Sequence, residues 1–371
     1  MRGEGILADH GCVMTTALIL AGAVAKGAFE AGVLSVIAKK ELAIASVVAT
    51  SAGALNGTLY AAGLRFRRAA LASAVLTDLW LDKANWARVL RPSLRGIFGG
   101  RGVSSASGLE SILNDGLSRL VPGTLSELAD PAKVELTLVA TTLNGAVRSS
   151  GSFQSTSFEH AVTFDGAAFD TQSGRARACQ AALASAALPI LFVPIDLPEV
   201  GPCIDGGVVN NTPISHAIDA GVDRVIVVTG NPLEARSRRH FRFLDLVGQA
   251  ADIGVNERLF RDLLQARKVN EKLDKVSEAL TSADAPLREA VSAALAWKKL
   301  EIIEIRPEVP LEGNAFAALG SRSLRSEYLE LGVVAAERAL DSLERTPAAL
   351  EPVPPRSLLS RADTARAGSD R

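Results

Sequence analysis

Short apolar runs alternate with helical stretches along the first part of the chain. Residues 16–20 predict a short buried strand, followed by a turn of small residues at 21–25. Residues 28–40 then carry apolar side chains at helical spacing. A second predicted strand at 45–50 leads into a helix of small residues at 52–63. Two successive repeats of strand, turn and helix are typical of a parallel α/β sheet.

Later segments continue this alternation. Further elements are predicted as strands at 134–141, 224–228 and 300–305, and as helices at 176–186, 255–297 and 323–343. The predicted helix at 255–297 is charged, and it is amphipathic from 255 to 275. This pattern indicates a surface helix packed on the sheet, with membrane docking as the alternative. Residues 64–130 are mostly helical and irregular. We therefore predict a three-layer α/β/α sandwich with a mostly parallel central sheet.

The domain organisation follows from where this patterning begins and ends. Residues 1–13 show no periodicity and are interpreted as a flexible leader. Residues 346–371 are rich in Pro, Arg, Ala and Ser and are interpreted as a disordered tail. One folded domain is accordingly expected to span residues 14–345. A chain of 371 residues is long enough to bury a substantial core.

The balance of charge argues against one class of partner. Forty basic and 41 acidic residues give a net charge of −1, whereas a nucleic-acid binder needs a concentrated basic surface. No basic block would anchor the chain to a membrane, so peripheral contact with lipid would be made through apolar surface. Cys12, Cys179 and Cys203 lack C-x-x-C spacing, which argues against a zinc site or a disulfide framework.

The apolar run at residues 17–25 bears on localisation. It ends in an A-x-A pattern like that of a signal peptide, but acidic residues accompany Arg2 in the segment before it. Lys26 and Glu30 interrupt the apolar stretch before it reaches the roughly 18 residues that a membrane-spanning helix needs. We expect a cytoplasmic protein, with export as the alternative.

Candidate chemistry begins at the end of the second predicted strand. There the chain reads Ala49-Thr50-Ser51-Ala52-Gly53. A nucleophile elbow holds its serine on a cramped strand-to-helix turn and needs small neighbours, although the usual pattern has glycine where Ala49 stands. The alternative for Ser51 is a helix N-cap, since serine often begins a helix by accepting backbone N–H bonds.

A second motif follows the first strand, at Gly22-Ala23-Val24-Ala25-Lys26-Gly27. Ester hydrolysis passes through a tetrahedral oxyanion, which backbone N–H groups at a strand-to-helix turn can stabilise. The dipole of a helix beginning near Lys26 would strengthen that field. A phosphate-binding loop is disfavoured because the G-x-x-x-x-G-K-[ST] order is absent, and a simple tight turn is the other alternative.

The third motif is Asp205-Gly206-Gly207, which by itself is usually only a turn. Together the three motifs, in this order in an α/β chain, resemble the patatin-like phospholipases. That family combines a glycine-rich oxyanion turn running into K/R-G, then G-x-S-x-G, then D-G-G or D-G-A. The likeness extends to residues 29–34, 179–194, 211–218 and 305–311, and it covers residues 16–343.

The resemblance implies that the domain at 14–345 is a lipid acyl hydrolase with a Ser-Asp dyad and no catalytic histidine. Ser51 matches the family nucleophile and Asp205 the family base, while the N–H groups of Gly22, Ala23 and Val24 match the oxyanion hole. An acyl group from a lipid or lipid-like ester would pass to Ser51 and then be released by water. No cofactor or metal is implied, and the oligomeric state is left open.

Departures from the family pattern keep two alternatives open. Ala23, Val24 and Ala49 stand where the family usually has glycine, at the most crowded points of the site. They raise the alternative of a catalytically weak or silent lipid-binding protein on the same fold. A Ser-Asp-His triad is the second alternative, with His216 or His240 as its third member.

Overall fold

The computed structural model describes residues 14–93, 97, 102–123, 131–150, 153–232, 243–280, 287, 291 and 299–344. The predicted leader and tail, Cys12 and His240 lie outside these residues. The strands are β1 Thr16–Leu20, β2 Ser46–Thr50, β3 Arg91–Pro92, β4 Ser104–Ser105, β5 Glu135–Ser150, β6 Phe153–Asp165, β7 Ile195–Leu197, β8 Gly201–Ile204, β9 Arg224–Val228 and β10 Glu301–Ile305. The helices are α1 Gly27–Lys39, α2 Ala52–Arg65, α3 Ala69–Asp78, α4 Trp86–Val89, α5 Ser107–Leu120, α6 Gln172–Ser185, α7 Ile214–Asp219, α8 Phe243–Ala279, α9 Ala317–Gly320 and α10 Arg322–Glu344.

One mixed sheet organises the described part of the chain. Its strand order is β10-β9-β1-β2-β5-β8-β7, with β6 paired to β5 as the eighth strand. Strands β10, β9, β1, β2 and β5 are mutually parallel. The pairs β5–β6, β5–β8 and β7–β8 are antiparallel. The predicted α/β/α sandwich with a mostly parallel sheet is confirmed.

Both faces of the sheet are buried, so its central strands are apolar throughout rather than alternating. Leu18 and Leu20 of β1 face one side, in the core that α1, α2 and α10 cover. Ala17 and Ile19 face the other side and share a core with Leu259 of α8. Helix α8, which contains the charged stretch at 255–275, therefore packs on the sheet, as the surface-helix interpretation predicts. In the described part of the chain, no helix is long and apolar enough to span a bilayer.

Helices α1 and α10 touch at a pair of glycines. A Cβ added to Gly32 would lie 2.0 Å from the carbonyl oxygen of Leu329, and one added to Gly332 would lie 2.1 Å from that of Phe29. Any larger side chain at either position would force the two helix backbones apart. This contact ties the last described helix to the first and explains the glycine in the family-like segment at 29–34.

The antiparallel strands are where the pattern fails. The strand predicted at 134–141 continues to Ser150 and pairs with β6 as a hairpin. No pattern in the sequence predicts this extension or the second strand. Val147 is 71% exposed and Phe158 47% exposed. Since neither face of this arm packs on a core, no apolar period marks it. Strands β7 and β8 also went unpredicted, because three or four residues are too few to show alternation.

Candidate active site

Ser51 occupies the sharp turn between β2 and α2. Its backbone angles are φ 56° and ψ −128°, a strained conformation for a residue other than glycine. Strain of this kind is tolerated where surrounding contacts over-determine the turn. Gly53 provides one such contact, because an added Cβ there would lie 2.5 Å from the carbonyl oxygen of Leu20. The Ser51 side chain makes no capping bond to α2, which counts against the N-cap alternative.

The hydroxyl of Ser51 points at the carboxylate of Asp205. Oγ of Ser51 donates a hydrogen bond to Oδ2 of Asp205 at 2.6 Å. The other carboxylate oxygen, Oδ1, accepts from the N–H of Gly207 at 2.7 Å. Only 5% of Ser51 and 3% of Asp205 is exposed to solvent. Both carboxylate oxygens are thus held in place, and one of them is directed at the hydroxyl.

Strand β5 brings these two residues together. Its residue Val139 pairs with Thr50 at the end of β2, and two residues further on Thr141 pairs with Ile204 at the end of β8. The residues that follow, Ser51 and Asp205, therefore leave the sheet side by side. Gly206 permits this packing, because an added Cβ would lie 1.9 Å from the carbonyl oxygen of Val139.

Burial changes the acid–base properties of Asp205. Desolvation raises its pKa to about 6, and the hydrogen bonds from Ser51 and Gly207 act in the opposite direction. A carboxylate whose pKa lies closer to neutrality accepts a proton more readily than an ordinary aspartate. The group is suited to serve as a general base toward the hydroxyl that it already contacts.

Ser185 supports the turn from α6, and sequence reasoning missed it. Its hydroxyl oxygen accepts from the N–H of Ser51 at 2.9 Å and its hydroxyl donates to the carbonyl of Val139 at 2.5 Å. Thr141 secures the other partner, because its hydroxyl donates to the backbone carbonyl of Asp205 at 2.8 Å. A serine at the end of an Ala-rich helix was the only signal, and its role requires the packing of α6 on β5.

The predicted oxyanion turn lies against Ser51. A Cβ added to Gly22 would lie 2.7 Å from Cβ of Ser51 and 2.1 Å from Oδ1 of Asn211. The N–H of Gly22 already donates to the carbonyl of Asn211 at 3.2 Å, and the Asn211 side-chain amide donates back to the carbonyl of Gly22 at 2.9 Å. Among the described residues, none accepts from the N–H groups of Ala23 and Val24. The turn therefore offers two of the three predicted donors.

The three departures from the family pattern differ in their structural cost. Ala23 has φ −140° and ψ 10°, which needs no glycine. Val24 has φ 48°, a left-handed conformation that is a true outlier for a β-branched residue. Ala49 is accommodated from α2, where Gly57 faces it and an added Cβ would lie 2.9 Å from the methyl group of Ala49. Only Val24 carries backbone strain.

The positions that follow the turn are structural. Lys26 is only 8% exposed and its ammonium donates to Oδ1 of Asn231 at 3.0 Å. Gly27 packs beneath an aromatic ring, because an added Cβ would lie 2.5 Å from Trp80. Both residues hold the turn against its neighbours, and neither reaches the Ser51 hydroxyl in the described contacts.

An apolar cavity of about 110 Å³ adjoins Ser51 and Asp205. Ser51, Asp205 and Asn56 are its polar lining residues, and the others are apolar or aromatic. Its walls come from α2, α3, α5 and the segment at 186–192, with side chains such as Leu55, Leu59, Leu76, Leu109, Leu113 and Leu191. The irregular helices between 64 and 123, which the sequence left without a role, form much of this cavity.

His216, one of the two candidates for a triad, lies beside a carboxylate other than Asp205. Its Nε2 lies 2.5 Å from Oε1 of Glu159. Both oxygens of the Asp205 carboxylate are taken by Ser51 and Gly207. The described histidine of the triad alternative is therefore bound to a different carboxylate.

Comparison with known proteins gives one family match. A family model described as patatin-like phospholipase matches residues 18–218, more than half of the 371-residue chain. No curated protein matches. The crystal structure of VipD from Legionella pneumophila is 15% identical and that of the type III effector protein ExoU 13% identical, each with a TM-score of 0.39. Each alignment covers 89% of this chain, but 67% of the VipD chain and 53% of the ExoU chain. Structural likenesses this distant carry no argument about the chemistry of this chain.

The backbone at residues 23 and 24 predicts opposite effects of glycine. At position 23, Ala23→Gly should lower the free energy of unfolding by about 0.5–1 kcal/mol, since glycine gains freedom in the unfolded chain. At position 24, Val24→Gly should be more stable than Val24→Ala by about 0.5–1 kcal/mol, because relief of the left-handed strain exceeds that entropy. Urea unfolding of the three variants measures both differences. The same sign at both positions would rule out the strained backbone at Val24.

Proposed function

Because the chain belongs to the patatin-like phospholipase family, we propose that it is a lipid acyl hydrolase in which Ser51 is the nucleophile and Asp205 its base. The observation that carries the proposal is the buried 2.6 Å hydrogen bond from Oγ of Ser51 to the Asp205 carboxylate. It occurs at the wall of an apolar cavity, where a hydrophobic chain can lie with its ester beside the hydroxyl.

The first half of the reaction forms an acyl-enzyme. Asp205 takes the hydroxyl proton as Oγ of Ser51 attacks the ester carbonyl carbon, and the carbonyl oxygen becomes an oxyanion. The N–H groups of Ala23 and Val24 are the donors available to it. When the intermediate collapses, the bond to the leaving alkoxy group breaks, and Asp205 returns the proton to that group. The products are an alcohol and an ester of Ser51.

The second half of the reaction regenerates the free serine. Asp205 takes a proton from a water molecule while the water oxygen attacks the acyl carbon of the Ser51 ester. Collapse of the second tetrahedral intermediate breaks the bond to Oγ, which takes back the proton. A fatty acid leaves and the hydroxyl is restored. One carboxylate suffices for both halves, because it gives up in each collapse the proton that it gained in the attack.

The silent lipid-binding alternative now depends on one residue. Ala23 and Ala49 fit their positions without strain, whereas Val24 does not. If the strain at Val24 turns the N–H groups of the turn away from the oxyanion, the same cavity would bind an acyl chain without cleaving the ester. The intact Ser51–Asp205 contact favours the enzyme.

We also propose that residues 14–345 make up the hydrolase domain. The family match ends at residue 218, but β9 and β10 add to the same sheet beside β1. Helix α10 then packs on α1 through Gly32 and Gly332. Removal of these later elements would expose one edge of the sheet and the face of α1.

Labelling with a fluorophosphonate probe tests the dyad directly. We expect modification of Ser51 in the wild-type protein, located by peptide mass spectrometry, and none in Ser51→Ala. Asp205→Asn should slow labelling and hydrolysis of p-nitrophenyl butyrate by at least about 100-fold, because no base remains to take the proton. Circular dichroism of each variant controls for folding. Labelling that survives Asp205→Asn but is lost in His216→Ala would favour a triad, and no labelling of folded wild-type protein would favour the lipid-binding alternative.

The pKa of Asp205 predicts the acid limb of the pH profile. The base works only when ionised, so kcat/KM should fall by about tenfold per pH unit as pH drops below about 6. Above that pH, toward neutrality, kcat/KM should approach a constant value. Initial rates between about pH 4.5 and 8 measure this limb. If the midpoint of the acid limb lies at about pH 4, the ordinary pKa of aspartate, Asp205 is not the buried base.

The cavity predicts which part of the substrate sets specificity. Leu109→Trp should fill part of it, lowering kcat/KM for p-nitrophenyl dodecanoate by at least about tenfold while leaving the butyrate ester within about threefold. Leu143→Trp is the matched control, because Leu143 lies on β5, is 48% exposed and does not line the cavity. An equal loss for both esters would show that the acyl chain binds elsewhere.

A further inference from the structure

A cluster of charged side chains lies behind the loop at 206–212. Glu159 on β6 is its centre, with its side chain 14% exposed. Oε1 of Glu159 lies 2.5 Å from Nε2 of His216 on α7. Oε2 lies 4.0 Å from Nη2 of Arg258 on α8. Three separate elements therefore converge on one carboxylate, although none of these side chains touches Ser51 or the carboxylate of Asp205.

The cluster is hydrogen-bonded to the loop at 206–212. The side-chain amide of Asn210 donates to Oε2 of Glu159 at 3.2 Å. Nη1 of Arg258 donates to the backbone carbonyl of Val209 at 2.8 Å. These two contacts fix consecutive residues of the loop, one through its side chain and one through its backbone. Loss of the negative charge at Glu159 would weaken the bond that the amide of Asn210 donates to it.

The same loop makes the contacts that define the site. Thr50, the neighbour of the nucleophile, donates its hydroxyl proton to the carbonyl of Asn210 at 3.1 Å. The N–H of Gly22, in the oxyanion turn, donates to the carbonyl of Asn211 at 3.2 Å. The loop begins at Asp205, whose carboxylate it holds through the N–H of Gly207. A shift of this short segment would therefore disturb the base, the nucleophile turn and the oxyanion turn together.

The charges around Glu159 favour its ionised form. Burial acts to raise its pKa, but the hydrogen bond and charge of His216, the amide of Asn210 and the charge of Arg258 leave the pKa lowered overall. Asp262 of α8 also faces the cluster, where it lies 3.6 Å from Arg258. Arg148 of β5 donates to the backbone carbonyl of Glu159 at 2.8 Å.

We propose that Glu159, together with His216 and Arg258, is a positioning residue that holds the loop at 206–212 and thereby orients Asp205 toward Ser51. This inference rests on the proposed function of the dyad. It assigns to His216 a role outside the proton transfer, since the histidine reaches the dyad only through Glu159 and the loop. It also accounts for a partly buried carboxylate beside the site whose contacts with His216 and Arg258 take no part in the chemistry.

Glu159→Gln tests the proposal, because it keeps the size of the side chain and removes its charge. We expect kcat for p-nitrophenyl butyrate to fall by about 10- to 100-fold with KM within about threefold, as a small misplacement of a catalytic group requires. Glu301→Gln is the matched control. Glu301 is a partly buried carboxylate on the edge strand β10 of the same sheet, paired with Arg224 at 2.8 Å, and β9 and β1 separate that strand from β2. That variant should keep wild-type kcat.

A second readout separates positioning from general loss of stability. If the loop loosens, water reaches Asp205 and its pKa falls toward the ordinary value. The acid limb of the profile should then move to lower pH in Glu159→Gln, by about half a unit or more. The carboxyl ¹³C resonance of Asp205, assigned by its absence in Asp205→Asn, should titrate at the same lower pH. This titration does not depend on turnover, so it tests the loop even if the wild-type protein proves inactive.

Clear outcomes would overturn the proposal. Unchanged kcat and an unchanged Asp205 titration in folded Glu159→Gln would show that the cluster does not position the loop. So would a loss of kcat that follows only a lower melting temperature, with the titration unmoved. If Glu159→Gln fails to fold, Arg258→Gln removes the bond to the carbonyl of Val209 and the charge beside Glu159, and His216→Gln replaces the imidazole that contacts Glu159, both at more exposed positions. A wild-type titration of Asp205 in both variants would contradict the proposal equally. Failure of the dyad itself is recognised separately, by the absence of Ser51 labelling in the wild-type protein.

Discussion

Everything at the candidate site depends on bringing together two residues that are 154 positions apart in the chain. Strand β5 meets this requirement by changing partners. It pairs with the parallel strand β2 up to Val139 and with the antiparallel strand β8 from Thr141. The ends of β2 and β8 therefore lie close to each other along β5. In this sheet the antiparallel strand β8, beside β5, makes the contact.

Close packing then makes the contact rigid. Gly22, Gly53 and Gly206 each lie where an added Cβ would collide with backbone or with the side chains of the site. Ser51 and Val24 have positive φ, and the strain at Ser51 is held by Ser185 and by the packing of Gly53. Strain that persists at a site in this way is a form of pre-organisation, since the hydroxyl needs no rearrangement to face its acceptor.

The shape and polarity of the cavity favour one class of substrate for the proposed dyad. Its walls are mostly leucines from α2, α3 and α5 and from the segment at 186–192, together with aromatic side chains such as Trp80, Trp86 and Phe316. The family match indicates an acyl substrate, and the apolar lining is what an acyl chain requires. Behind the dyad, the charged cluster around Glu159 occupies the opposite side of the Asp205 loop. The site is thus apolar where substrate would enter and polar where the loop is held.

The sequence by itself determined the features that local constraints impose. A buried parallel strand must be apolar, a nucleophile turn needs small neighbours, and the order of three motifs pointed to Ser51 and Asp205 as candidates. The confirmed strands at 16–20 and 224–228 follow from the first constraint. Only the tertiary structure decided the roles of Ser185, Asn211 and Glu159, the strain at Val24 and the walls of the cavity. Those depend on register and packing between elements far apart in the chain, which no pattern of neighbouring residues records.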